Sequence, residues 1–286
     1  MNAKLKGCLD DVLLPKNPGR DGSPSRPSSK VEQASRLLSR AFRREIMGSL
    51  GDVPPIFFRS LIASALSVAT ALPALAEKGT PPCLYVPGAY QGWKPAEAPV
   101  LNPVPDSDGK YEGYVNFSGA GIQYFKFTSA PDWTHVNYGN GGGNVLDTDG
   151  KAAGLTVPEG GYYELTADLN ANKWTATKTE WNIIGDATPG GWEKDTPMAY
   201  DPEKQVWTVT AELKKAGSFK FRANSAWKID FGIDGAGHLQ YVDNPFLGYH
   251  PEIKDLVVPA DGTYAVTLDL HVSGDYTYTL QPAAAP

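Results

Sequence analysis

Four tryptophans, Trp93, Trp133, Trp192 and Trp227, lie in stretches such as Thr188-Pro-Gly-Gly-Trp192 that suit loops better than core strands. Near them run Phe125-Lys126-Phe127 and Phe219-Lys220-Phe221-Arg222-Ala223-Asn224. Side chains alternate across an extended strand, so Phe219 and Phe221 turn into a core while Lys220, Arg222 and Asn224 turn to the open face. Aromatic plates beside hydrogen-bond donors are what a sugar ring needs, because its C–H face is apolar and its rim carries hydroxyls. Burying an aromatic surface of this size contributes about 1.5–3 kcal/mol, and a hydrogen bond to a charged group about 1.5–3 kcal/mol before ordering costs. The candidate carbohydrate-binding residues are therefore Trp93, Lys126, Trp133 and Tyr138, and then Trp192, Lys220, Arg222, Asn224 and Trp227. Trp174 and Trp207 fall within strand patterns and are assigned to the core.

These residues recur because the chain repeats itself at a period of roughly 94–101 residues. Phe125-Lys-Phe-Thr-Ser-Ala-Pro-Asp-Trp133 aligns without a gap on Phe219-Lys-Phe-Arg-Ala-Asn-Ser-Ala-Trp227. Gly88 and Gly92-Trp93 match Gly185 and Gly191-Trp192, and Val157-Pro158, Gly161 and Tyr163 match Val258-Pro259, Gly262 and Tyr264. Short alternating strands separated by turn residues, with no helical periodicity, predict an all-β chain of two tandem antiparallel β-sandwich modules. They are placed at 81–179 and 180–283, and a join as short as Lys178-Thr-Glu-Trp181 predicts that they touch. The first copy has Thr128 and Ala130 where the second has Arg222 and Asn224. It is expected to bind more weakly or to select a different glycan.

Residues 1–76 read differently. The apolar run Leu61–Ala76 follows Arg59 and ends in Ala-Leu-Ala before Glu77, the pattern of a signal peptide cleaved after Ala76. It falls short of the roughly 20 apolar residues a membrane span needs. Residues 1–46 exceed an ordinary leader, which makes Met47 a candidate start. Of the charged residues, 11 basic and 6 acidic lie in this segment, leaving 15 basic and 26 acidic after it. A mature part so acidic repels phosphate backbones and excludes nucleic acid as partner. The two cysteines, Cys8 and Cys83, flank the cleavage point, so no disulfide is expected within the mature protein. His135, His238, His250 and His271 show no ligand spacing, and neither a metal nor a cofactor is predicted.

The blocks Leu84-Tyr-Val-Pro-Gly-Ala-Tyr-Gln-Gly-Trp93, Tyr111-Glu-Gly-Tyr114, Phe125–Trp133, Ile183-Ile-Gly-Asp-Ala-Thr-Pro-Gly-Gly-Trp192 and Phe219–Asn224 resemble the tandem carbohydrate-binding modules of the SusE/SusF starch-binding proteins of Bacteroidetes. The resemblance covers about residues 81–281. It implies immunoglobulin-like sandwiches, display at the outer-membrane surface, partnership with outer-membrane glycan transporter proteins, and binding of starch or another glucan polysaccharide. By motif position it supports Trp93, Lys126 and Trp133 in module one and Trp192, Lys220, Arg222 and Trp227 in module two. Members are normally lipidated and carry a further amino-terminal domain. Cys83, preceded by Gly79-Thr-Pro-Pro82, does not read as a lipidation site, and no such domain is read ahead of residue 81.

Two other classes compete. A glycan-processing enzyme would need paired carboxylates across a cleft, and Asp147, Asp149, Asp230 and Asp234 read instead as turn formers beside glycine. A protein-binding surface adhesin would use the same sandwiches without the tryptophans.

Overall fold

The computed structural model describes residues 80–283. The signal-peptide segment, its cleavage point and Met47 lie outside these residues. Among the described residues there is no α-helix, only the single 3-10 turns Ala89–Gln91 and Pro95–Glu97. The rest of the regular structure is antiparallel strand, so the chain is all-β.

In the second copy two sheets face each other. One runs in the order Gly191–Pro197, Trp181–Gly185, Ser218–Ala223, Asp230–Ile233, Leu239–Asn244 and Gly248–Tyr249. The other runs Ala199–Asp201, Val206–Leu213, Gly262–Asp269 and Thr277–Pro282. The edge segment passes from one sheet to the other at Met198, whose amide is bonded to the Trp181 carbonyl. The first copy repeats this order, but its edge strand Val100–Pro103 pairs with both Leu84–Tyr85 and Lys110–Phe117 and joins the sheets into one path. Side-chain alternation closes each core. Tyr264, Val266 and Leu268 are buried along Gly262–Asp269 while Ala265, Thr267 and Asp269 are half-exposed and Thr263 is exposed. They meet Ile183, Phe219, Phe221 and Phe231 from the opposite sheet, all at 0% exposure. Each such aromatic contributes about 1.5–3 kcal/mol through burial.

The matching strand of the first copy, Gly161–Asp168, departs from this pattern, because both of its faces are buried. Tyr163, Leu165 and Ala167 fill its own core, whereas Tyr162, Glu164 and Thr166 face the other way. Tyr114 and Tyr162 pack into the core cluster of the second copy, so the two copies share a tight seam. Cys83 is fully buried and disulfide-bonded. The other cysteine, Cys8, lies outside the described residues. The four histidines each lie beside a carboxylate, of Asp132, Asp234, Glu252 or Asp269. Among the described residues no group of three metal-ligating side chains exists, and no helix is long and apolar enough to cross a membrane.

Candidate functional site

Seven tryptophans divide into three that are core and four that are paired on the surface. Trp174, Trp181 and Trp207 are buried. Trp93, Trp133, Trp192 and Trp227 are 37%, 42%, 39% and 48% exposed. Trp192 and Trp227 stand with ring centroids 6.1 Å apart and planes tilted by 41°. Trp93 and Trp133 stand 6.2 Å apart, tilted by 46°. The repeat has therefore preserved a geometry as well as a residue type: two shallow open wedges of indole, one per copy.

Local backbone explains how each ring is presented. Trp93 follows the 3-10 turn Ala89–Gln91 and takes φ 60°, a left-handed conformation that strains a bulky residue by about 1–3 kcal/mol. It is held there by its amide bond to the Gly88 carbonyl, by the Trp133 Nε1–H donating to its own carbonyl at 3.2 Å, and by Gly154, above which the ring lies. Asp132 fixes the Trp133 loop by accepting from the Thr134 and His135 amides, and the hydrogen bond from His135 draws its carboxyl down to about 2. Trp192 begins the edge strand Gly191–Pro197 rather than sitting wholly in a loop. Only glycine fits at 190, where a Cβ would lie 2.0 Å from the Lys194 carbonyl oxygen. Trp227 leaves the sheet through Asn224 and Ser225, both left-handed.

The polar row expected beside these rings is present but largely engaged. Arg222 is 9% exposed, donates Nε to Asp195 Oδ1 at 2.7 Å and Nη2 to Asp195 Oδ2 at 2.9 Å, and lays its guanidinium 4.5 Å from the centre of the Trp227 ring. Burial would raise the Asp195 carboxyl, but the bonds from Arg222 and Ser225 and the Arg222 charge hold it below its ordinary value. Lys220 lies 3.3 Å from Asp230 and 3.8 Å from Asp255. Asp230, assigned to a turn from the sequence, is instead a buried strand residue, and burial pushes its carboxyl up despite Lys220. Lys126 is half-buried, and among the described residues no carboxylate lies within ion-pair distance of it.

Two candidate residues are placed elsewhere. Tyr138 is 9% exposed within the core of the first copy, because the strand Asn137–Asn140 pairs it with Phe127 and turns its ring inward. Asn224 is not on the open face either: the strand ends at Ala223, so alternation stops there. Its Oδ1 accepts from the Glu180 amide and its Nδ2 donates to the Lys178 carbonyl, clipping the join between the copies. Asn224→Ala is expected to cost about 1–3 kcal/mol from two lost bonds, read by urea unfolding, with no change in glycan affinity. The residue missed was Asp195. Only knowledge that Gly191–Pro197 lies one strand away from Ser218–Ala223, across Trp181–Gly185, would have singled it out.

No protein-family model matches the chain, and no curated protein matches it. Among solved structures the chain is similar to that of SusF from Bacteroides thetaiotaomicron, at 15% identity. The match covers 74% of this chain and 50% of that one, with a TM-score of 0.30. The aligned part is thus about half the length of SusF, and no residue assignment is transferred from it.

Proposed function

We propose that the chain is a non-catalytic carbohydrate-binding protein, made of two modules at 81–179 and 180–283, whose paired tryptophans stack on the sugar rings of a polysaccharide. The single observation that carries this reading is the indole wedge, present twice with centroids at 6.1 and 6.2 Å. Four exposed indoles in two matching pairs are unexplained by packing, since none belongs to either core cluster.

The tilt of each pair bears on the ligand class. A flat, ribbon-like glycan offers neighbouring rings in nearly one plane, whereas a wound α-glucan turns each ring relative to the last. Planes open by 41° and 46° suit the wound chain, which supports starch or a related glucan. Lys126, with no carboxylate within ion-pair distance among the described residues, is the donor this reading assigns to the first module, while Arg222 acts as the backing of Trp227. The expected inferiority of module one thereby loses its physical basis, since the extra donors of module two are spent within the protein. Two sites on one chain gain avidity on a polymer. Surface display after export, and delivery of the glycan to outer-membrane glycan transporter proteins, complete the proposal through the sequence resemblance.

Titration of the full chain with maltooligosaccharides and with β-linked glucan fragments of equal length tests the reading. Binding of the first set alone is the expected result, and binding of neither sinks the carbohydrate assignment. Incubation with the same labelled oligosaccharides should release no product. Product formation would favour the enzyme reading, and intact retention of a protein partner without glycan binding would favour the adhesin.

A further inference from the structure

Between the two copies lies a buried polar cluster that the tryptophan wedges do not use. Glu112 and Tyr114 of Lys110–Phe117 and Glu164 of Gly161–Asp168 project from the outer face of the first copy, and they are 5%, 3% and 3% exposed. Tyr114 and Glu164 are directly opposite in the ladder, so the two carboxyls sit on neighbouring strands of one face. The second copy seals them in. Tyr241 Oη lies 2.7 Å from Glu112 Oε1 and 2.8 Å from Tyr114 Oη, and Tyr276 Oη lies 2.9 Å from both Glu112 oxygens. Asn244 Nδ2 donates to Glu164 Oε1, and Ser273 Oγ donates to the Glu112 carbonyl.

Charge in this seam has no counter-ion. Among the described residues no ion pair reaches either carboxyl. Lys110, on the same face two residues before Glu112, holds its ammonium over the Phe246 ring at 5.3 Å. The other titratable groups that act on the seam, Tyr114, Tyr162, Tyr241, Tyr276 and, beyond Tyr162, Asp269, are neutral or acidic. Tyr241 Oη lies within reach of Glu112 and Tyr114 and, at 3.4 Å, of Glu164, so the two carboxyls converge on one hydroxyl. Two buried carboxylates this close cannot both ionise without repulsion in a medium of low dielectric.

We propose that Glu112 and Glu164 form an alkali-sensitive latch: while the pair holds a proton the two modules stay docked as one body, and when both carboxyls ionise the seam opens and the modules separate. The sign follows from linkage. Burial, and for Glu112 the nearby Glu164 charge, raise the two carboxyls to about 8 and about 7, values that belong to the pair. A raised carboxyl favours the docked state fully below its exposed value near 4.5 and loses that contribution as pH rises through 7 and 8. Docking is therefore tightest below about pH 4.5 and weakest above pH 8. This holds whatever the tryptophans bind.

Hydroxyl-radical footprinting of the full chain at pH 5, 7 and 9 tests the latch, with the core residues Tyr264 and Tyr163 as internal references. The expected result is that labelling of Tyr241 and Tyr276 rises several-fold between pH 5 and pH 9 while the references stay protected. In Glu112→Gln/Glu164→Gln the seam should stay protected throughout, because the amides keep the shape and cannot ionise. Protection of Tyr241 and Tyr276 at pH 9 in the unmodified protein overturns the latch, as does equal opening in the double variant or simultaneous exposure of the references. If the double variant fails to fold, Glu164→Gln alone decides: it should open less than the parent, and an unchanged profile overturns the proposal.

Discussion

Replacing all four wedge tryptophans by alanine is expected to abolish retardation of the protein in a starch-containing gel while leaving its thermal unfolding within a few degrees of the parent. Each ring that covers a sugar face contributes about 1.5–3 kcal/mol, and each 1.4 kcal/mol is a factor of ten in affinity. Loss of one indole should thus weaken its own site by about ten- to a hundred-fold, and loss of both should leave it without measurable affinity. Trp93→Ala/Trp133→Ala and Trp192→Ala/Trp227→Ala separate the two sites. Each double variant should still bind short oligosaccharides through the remaining wedge, yet bind polymer far less well, because avidity needs both. Stability should hold because all four indoles are more than a third exposed and lie outside the core clusters. Unchanged retardation of the fourfold variant would sink the sugar-stacking reading.

Much of the fold is legible in the sequence because alternation in a strand is a local property. The Phe-Lys-Phe blocks announce which side chains go inward, and Phe125, Phe127, Phe219 and Phe221 are all at 0% exposure. The wedge tryptophans are legible because a repeat reveals what chance does not: a loop residue kept in register across two copies. What fails is whatever depends on which strands become neighbours. Asp195 meets Arg222 across the Trp181–Gly185 strand that lies between their own two strands, and nothing in its spacing announces that. Tyr138 fails for a related reason, since the segment before it offers no phase for its strand and its inward turn comes from pairing with Phe127. The seam left a trace that can be read afterwards. Glu112 and Tyr114 fall on one face, as do Tyr162 and Glu164, so two strands show a face that is neither plainly core nor plainly solvent.

Asp195→Ala is expected to lower stability by about 2–3 kcal/mol, the largest effect of any single change on the open face. The guanidinium it leaves behind is nine-tenths covered, and stranding one charge of a buried pair costs about 3–5 kcal/mol. The remaining exposure of the side chains, 11% for Arg222 and 14% for Asp195, lets water offset part of that. Arg222→Ala should also destabilise, through the lost pair and the lost contact under Trp227, where a cation over an indole contributes about 0.5–2 kcal/mol. The double variant should then cost much less than the sum of the two, since neither partner is left alone. Urea midpoints of the three variants and the parent give this cycle, and additivity would show that the pair does not act as a unit. The same change reports on function if it is made in Trp93→Ala/Trp133→Ala, where only the second wedge binds. Trp227 without a fixed guanidinium beneath it loses its set tilt toward Trp192, so affinity for an oligosaccharide should fall several-fold. The first wedge has Thr128 in place of Arg222, with its hydroxyl donating to the Ala130 carbonyl, and takes its rigidity from the strained backbone of Trp93. Asp195→Ala should therefore leave binding at that wedge unchanged in Trp192→Ala/Trp227→Ala, which separates a local loss of positioning from a general loss of fold.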